Sequence, residues 1–211
     1  KSNLFKYEKF LQKNYNYKYS LKFNKLLKWS INNSNEFWGS IWDYSKVKGK
    51  KSFKFKHSKN LINSRFLIGS KLNFAENLLS KDDNTKAITF ISENGFKDKR
   101  SWNQLRTNTS KIIKFFKKMK IKEKDRIAAY LPNIIETVES FIATSAIGAI
   151  WSSCSPDFGV NGVIERFAQI KPKLLIIGDR YYYNGKEINV LKRLPKILKK
   201  IKSIKTVVLV N

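Results

Sequence analysis

The chain has 211 residues, of which 42% are hydrophobic, and its formal net charge at pH 7 is +27. One Cys and one His exclude an internal disulfide, a Cys-based metal site and a His-cluster metal site. Only seven of the 43 basic residues are Arg, the side chain that base-reading and phosphate-clamping surfaces favour. Abundant Lys, Asn and Ile instead fit the codon usage of an AT-rich genome. We therefore expect no nucleic-acid partner, with a basic nucleic-acid-binding module as the alternative.

The start of the chain lacks the pattern of a secretory signal peptide. The first ten residues, KSNLFKYEKF, lack the apolar core of a signal peptide. The most apolar window, residues 141–150, is too short to cross a bilayer. We therefore expect a cytoplasmic protein with no membrane partner. Because the chain starts with Lys and stops in the strand-like run TVVLVN, we also expect it to be a piece of a longer protein.

Residues 1–85 are expected to form an N-terminal arm rich in Lys, Asn and aromatic residues. Within this arm, residues 27–47 predict two short helices, and Ser34 or Asn35 is the expected cap of the second. Four apolar side chains fall on one face of that second helix: Phe37, Trp38, Ile41 and Trp42. We interpret these aromatic residues as holding the arm against a neighbouring domain, and base stacking is the alternative.

From residue 86 onwards, strands alternate with helices in the order β-α-β-α-β-α-β, which predicts an α/β fold with a mainly parallel sheet. Asn94-Gly95 predicts a hairpin before the first of these helices. The predicted strands are residues 87–92, 97–102, 125–131, 149–153, 173–179 and 206–211. Capping residues predict the starts of three helices: Ser101 with Gln104, Asn133 with Glu136, and Asp157 alone. A helix break is expected at Pro195.

Ligands of parallel sheets bind where the strands end, at their carboxyl edge. Three loops leave strands at that edge and are the candidate sites: residues 131–133, 152–157 and 179–186. No Gly-rich phosphate loop follows any of these strands. A nucleotide site would therefore have to be completed by residues outside this chain.

The stretch WSSCSPDFG, residues 151–159, has the composition of a nucleophile site. A catalytic Cys154 would need a neighbouring base or an electropositive setting, so we favour a small buried Cys at a strand end. Ser152, Ser153 and Ser155 lack the Gly-x-Ser-x-Gly elbow of hydrolases. We expect these hydroxyls to satisfy backbone groups where the strand turns into the helix.

The stretch RYYYNGK, residues 180–186, follows a predicted strand and is both basic and rich in Tyr. Tyr rings can stack on a base, and Lys186 can bind a phosphate. An ordinary solvated loop with a turn at Asn184-Gly185 explains the composition equally well.

Four stretches together resemble the acetoacetate–CoA ligases of the adenylate-forming acyl-CoA synthetase superfamily. They are NFAENLL (73–79), DRIAAYLPNIIETV (125–138), SAIGAIWSSCSPDFGVNGVIERFAQIKPKLL (145–175) and YNGKEIN (183–189). LPN followed by a helix is generic to the superfamily, whereas WSSCSPDFGV combined with RFAQIKPK and YNGK is much more specific. The likeness begins near residue 37 and corresponds to the first part of such an enzyme.

This resemblance implies a two-step ligase that uses ATP, Mg²⁺ and CoA. Acetoacetate and ATP would give acetoacetyl-adenylate and pyrophosphate, and CoA would then displace AMP. Residues 1–85 would be the arm, and residues 86–211 the truncated start of the AMP-binding large domain. The phosphate loop, the adenine and ribose contacts and the catalytic Lys of the family lie beyond these motifs, so we expect no catalytic residue here and no activity of this segment alone. Ligation of another short-chain acid is the alternative.

The resemblance also implies CoA-binding residues. Four of them would meet the nucleotide end of CoA: Tyr183, Asn184, Gly185 and Lys186. Related synthetases carry Arg at the positions of Tyr183 and Lys186, so Lys186 alone keeps a positive charge here. Ser153 and Cys154 would lie near the path of the pantetheine arm.

Overall fold

The computed structural model describes residues 2–20 and 22–211. Contacts within the chain define two compact units, Lys1–Asn73 and Phe74–Asn211. The division into an arm and an AMP-binding domain at residue 85 concerns the whole protein and stays a prediction. Within the described residues, no helix combines the length and the apolar character needed to span a membrane.

The first unit is mostly helical. Its elements are α1 (Asn3–Asn14), α2 (Phe23–Asn32), α3 (Ser34–Tyr44), a short antiparallel pair formed by β1 (Gly49–Lys50) and β2 (Lys71–Leu72), and a 3₁₀ turn at Leu61–Asn63. The two helices predicted for residues 27–47 are confirmed as α2 and α3. Sequence patterning misses α1 because only Tyr7, Glu8 and Leu11 of that helix are buried, which leaves a narrow apolar stripe.

Aromatic and aliphatic side chains give this unit a core of its own. Leu11 is fully buried and packs in one cluster with Tyr7, Tyr17 and Leu26. The hydroxyl groups of Tyr7 and Ser40 lie 2.6 Å apart and are hydrogen-bonded to each other, which ties α1 to α3. The aromatic residues of the arm therefore stabilise one another.

Two expectations about α3 are wrong. Trp38, predicted on its apolar face, is 42% exposed. Ser34 and Asn35 do not cap the helix, because α2 and α3 are separated only by Asn33 and both residues already belong to α3. The Asn33 side chain instead donates to the Trp29 carbonyl, at 3.0 Å, and so closes α2.

The second unit has the α/β architecture that the sequence predicts. Its elements are α4 (Phe74–Leu78), β3 (Lys86–Ile91), β4 (Lys97–Ser101), α5 (Trp102–Lys118), β5 (Arg126–Tyr130), α6 (Ile135–Ala146), β6 (Ile150–Cys154), α7 (Val160–Ile170), β7 (Leu174–Gly178), β8 (Arg180–Tyr183), β9 (Lys186–Asn189), α8 (Leu194–Lys200) and β10 (Thr206–Val210). A four-stranded parallel sheet has the order β10-β7-β5-β6. Two hairpins, β3–β4 and β8–β9, form separate antiparallel pairs.

The central strands β5 and β7 are buried on both faces. Ile127, Ala129 and Ile176 pack with residues of α5 and α6, whereas Tyr130 and Ile177 pack with residues of α7 and α8. Burial on both sides explains why these strands are almost continuously apolar in sequence, as parallel strands covered by helices are.

Two expectations about helix starts are wrong. α6 is preceded directly by Ile134, so Asn133 lies one residue too early to cap it. α7 is preceded directly by Gly159, so Asp157 lies two residues too early. The helical stretch is interrupted near Pro195 as expected: a 3₁₀ turn at Leu191–Arg193 precedes α8, and Pro195 stands in the first turn of α8, where its missing N–H would have no helical partner in any case.

The predicted capping box at the start of α5 is confirmed. Ser101 Oγ accepts from the Gln104 backbone N–H at 3.2 Å, and the Gln104 side chain accepts from the Ser101 N–H at 2.8 Å. Two N–H groups without helical partners are thereby satisfied where β4 passes directly into α5.

We expect Ser101→Ala to lower the free energy of unfolding by about 1 kcal/mol, because the Gln104 N–H loses its acceptor. Urea denaturation followed by circular dichroism measures the change. Ser110→Ala is the matched control, since Ser110 is exposed in the middle of α5, where Ala is the better helix former. An equal loss of stability in both variants would contradict a capping role.

Candidate ligand-binding edge of the sheet

The carboxyl ends of all four parallel strands lie along one edge of the sheet, as the sequence predicts. The candidate loops begin there, directly after β5, β6 and β7. Side chains of Tyr130, Tyr181 and Arg193 reach the loop after β6 and fix its shape. That arrangement gives the edge the fixed backbone that ligand recognition requires.

The buried Tyr130 and the half-buried Arg193 hold the backbone of residues 155–159, which we call the SPDFG loop. The Tyr130 hydroxyl donates to the Phe158 carbonyl at 2.6 Å. Arg193 Nη1 donates to the Pro156 carbonyl at 2.7 Å and also hydrogen-bonds the Tyr130 hydroxyl. Burial raises the pKa of Tyr130, and the nearby Arg193 opposes that rise. The loop carbonyls therefore have fixed partners at the end of β6.

Asp157 joins the SPDFG loop to the β8–β9 hairpin instead of capping α7. Its Oδ2 accepts from the Ser155 hydroxyl at 2.7 Å, and its Oδ1 accepts from the Tyr181 hydroxyl at 2.9 Å. The Asp157 N–H donates to Ser155 Oγ at 3.3 Å, which closes a local turn. The two sequence stretches singled out above are thus in direct contact.

Cys154 is a core residue. It is 3% exposed and packs in one cluster with Tyr130, Val163 and Phe167. Burial raises the pKa of its thiol, an effect that the charge of Arg166 only partly opposes. A thiol held in its neutral form is a poor nucleophile, which supports the structural interpretation of this Cys.

Ser153 and Cys154 point to opposite faces of the sheet, because neighbouring residues of a strand alternate. Cys154 packs toward α7 and α8, and Ser153 is exposed on the other side of β6. The two residues therefore cannot line one surface with their side chains. Their contact with the pantetheine arm stays a prediction.

Residues 180–189 form a β-hairpin where the sequence predicts a loop. The predicted turn is confirmed at Asn184 and Gly185, whose φ angles are +50° and +70°. Positive φ at both positions is typical of the type I′ turn that Asn-Gly favours. The Asn-Gly pair is therefore the sequence signal that indicates a hairpin here. The strands themselves cannot be predicted from polarity, because the three consecutive Tyr residues do not alternate between polar and apolar side chains.

One cation of the hairpin is neutralised and one is not. Arg180 pairs with Asp179 at 2.7 Å and with Glu187 at 3.0 Å. Lys186 is exposed, and in the described part of the chain no carboxylate lies within ion-pair distance of it. At the turn, the Gly185 N–H donates to Glu93 Oε2 at 3.3 Å. The hairpin tip thus offers a free cation beside a backbone donor that already binds a carboxylate.

A cavity of about 630 Å³ opens at the same edge of the sheet. Its walls come from the β3–β4 hairpin, the loop after β5, the start of the β8–β9 hairpin and the end of β10. Tyr181 and Tyr182 contribute to the lining together with Phe90 and Pro132. Its volume is in the range that small-molecule and cofactor sites have, roughly 300–1,000 Å³.

The side chains at the hairpin tip are compatible with a phosphorylated ligand, and binding of CoA there stays a prediction. A free Lys and an exposed Tyr ring fit a phosphorylated nucleotide, since one binds phosphate and the other can stack on a base. Within residues 2–20 and 22–211, the structure brings no three His, Cys, Asp or Glu side chains together in a way that could hold a metal ion.

The second unit has the architecture of an adenylate-forming enzyme. Acetoacetyl-CoA synthetase from Streptomyces lividans superposes with a TM-score of 0.88 at 24% identity, over 97% of this chain and 32% of that one. The family model described as AMP-binding enzyme matches residues 76–211. The chain therefore belongs to the family of AMP-binding enzymes.

Three curated relatives refine this placement. Acetoacetyl-CoA synthetase of Xenopus tropicalis is 40% identical over 89% of this chain, and that of Rhizobium meliloti is 39% identical over 82% of it. A malonamoyl-CoA synthetase of Penicillium aethiopicum is 33% identical over 96%. The chain spans 29%, 27% and 30% of the length of these three relatives, respectively.

We expect Tyr130→Phe to lower the free energy of unfolding by about 1–2 kcal/mol, because the Phe158 carbonyl loses the closer of its two donors and Arg193 loses its contact with the Tyr130 hydroxyl. Thermal or urea unfolding measures the loss. Tyr183→Phe is the matched control, since that ring is 57% exposed and should change stability by less than about 0.5 kcal/mol. Equal stability of the two variants would contradict the role of the Tyr130 hydroxyl.

Proposed function

We propose that the whole protein is an AMP-forming acetoacetate–CoA ligase. It would activate acetoacetate with ATP to an acyl-adenylate and then form acetoacetyl-CoA, AMP and pyrophosphate. The observation that carries the proposal is the identity of 35–40% to several acetoacetyl-CoA synthetases, over most of this chain and across the candidate edge. The substrates are small molecules, and we propose a cytoplasmic enzyme with no nucleic-acid partner.

CoA, ATP and Mg²⁺ are the proposed cofactors and cosubstrates. CoA supplies the thiol that accepts the acyl group. This chain would bind its nucleotide end, with Lys186 neutralising a phosphate and Tyr183 offering a ring face next to the Asn184-Gly185 turn. ATP and Mg²⁺ would be held mainly by residues outside the chain, since no Gly-rich phosphate loop occurs in it.

The remaining candidates have positional roles in this proposal. Cys154 would close the core beneath the strand end, and Ser153 would stay on the exposed face of β6 near the pantetheine arm. Because its carbonyls have fixed partners, the SPDFG loop would keep one conformation while CoA binds. This reduces the conformational entropy lost on binding.

The reaction is tested with the whole protein, ATP, CoA and a panel of short acids. We expect AMP and a thioester in equal amounts, with the highest kcat/KM for acetoacetate. A higher kcat/KM for malonamate or acetate would favour the alternative of another short-chain acid, for which the malonamoyl-CoA synthetase relative is the specific reason. Absence of thioester from every acid, together with RNA binding that weakens steeply with salt, would contradict the ligase and favour the basic module.

In the whole protein, Lys186→Ala should raise the KM for CoA about tenfold, the order of one charge-assisted hydrogen bond. Pyrophosphate exchange, which reports adenylate formation before CoA binds, should barely change. Lys196→Ala is the matched control, since Lys196 is exposed on α8 and has no carboxylate at ion-pair distance among the described residues. An unchanged CoA dependence in Lys186→Ala would rule out the phosphate contact.

A further inference from the structure

The β8–β9 hairpin needs support from outside, because an isolated two-stranded hairpin is only marginally stable in water. Tyr181 and Ile188 are directly opposite each other in its register, and both are half-buried. The Tyr181 ring packs against the core cluster that contains Tyr130 and Cys154. One face of the hairpin is therefore seated on the domain.

The polar contact on this face is made to an exposed Asp that has further hydrogen bonds of its own. Tyr181 donates to Asp157, whose second carboxylate oxygen is already bonded to Ser155. The residues on both sides of Asp157 have their carbonyls bound by Tyr130 and Arg193. Burial and the Asp157 carboxylate raise the pKa of Tyr181 to about 12, so its hydroxyl stays a donor at neutral pH.

Strand alternation places the free cation on the same face of the hairpin as this contact. Tyr181 and Tyr183 are two residues apart in β8, so their side chains point the same way, and Lys186 is directly opposite Tyr183. The other face carries Arg180, Tyr182 and Glu187, which satisfy one another within the hairpin. The position of Lys186 thus depends on how the Tyr181 face is held, together with the contact of the neighbouring Gly185 N–H with Glu93.

We propose that the hydrogen bond between Tyr181 and Asp157 positions Lys186 to bind a phosphate of CoA. This inference rests on the proposed function and adds two positioning residues to it. Neither residue needs to touch CoA. Each acts by keeping the hairpin against the SPDFG loop, so that less conformational entropy is lost when the phosphate binds.

The test is a set of double-mutant cycles in the whole protein, with the KM for CoA as the readout. Tyr181→Phe removes one oxygen and keeps the packed ring, and we expect it to raise the KM about threefold to tenfold, the order of one net hydrogen bond at an exposed position. Asp157→Ala should give a similar rise and should add little to Tyr181→Phe. Asp157→Asn keeps an acceptor for the Tyr181 hydroxyl and should recover part of the loss.

The cycle with Lys186 separates positioning from a direct contact. If Tyr181 acts through Lys186, Tyr181→Phe should have almost no further effect on the KM in the Lys186→Ala background. Pyrophosphate exchange and the KM values for ATP and the acid should stay unchanged in all of these variants. Tyr15→Phe is the matched control, because it also removes an exposed Tyr hydroxyl bonded to an Asp, Asp43, but in the first unit and outside the candidate cavity.

Three results would overturn the proposal: an unchanged KM for CoA in Tyr181→Phe, full additivity with Lys186→Ala, or an equal effect of Tyr15→Phe. Each of them leaves a working ligase, so each is distinct from failure of the proposed function. That failure would instead appear as the absence of any thioester product in the unmutated protein.

Discussion

Parallel pairing of β5 with β6 and β7 is the constraint on which the rest of the second unit depends. Strands β5 and β7 are buried on both faces, so their backbone groups must pair within the sheet and their side chains must be apolar. Parallel pairing in turn brings the carboxyl ends of the strands to one edge. The SPDFG loop follows β6 and the β8–β9 hairpin follows β7. Because these strands end at the same edge, the loop and the base of the hairpin meet there.

Much of this framework is predictable because its signals are local. Apolar runs define β5 and β7, and Ser101 with Gln104 defines the start of α5, within a few residues of sequence in each case. The contacts that shape the candidate site are not local. Tyr130 and Arg193 are 63 residues apart, and Asp157 and Tyr181 are 24 apart, so no periodicity or spacing rule reveals them.

Asp157 illustrates why a local rule can give the wrong role. An Asp just before a predicted helix satisfies the usual capping pattern, but α7 starts at Val160, and the carboxylate accepts instead from the hydroxyls of Ser155 and Tyr181. The strands of the β8–β9 hairpin could not be predicted for a related reason, because its three consecutive Tyr residues lie in three different environments. Tyr181 packs inward, Tyr182 bonds within the hairpin, and Tyr183 is exposed.

The central claim is that a cation at the hairpin tip meets the nucleotide end of CoA. A crystal structure of the whole protein with CoA bound tests it most directly. The account predicts Lys186 Nζ about 2.7–3.2 Å from a CoA phosphate oxygen, with Tyr181 still bonded to Asp157. A CoA nucleotide bound away from the β8–β9 hairpin, with Lys186 in solvent, would contradict it.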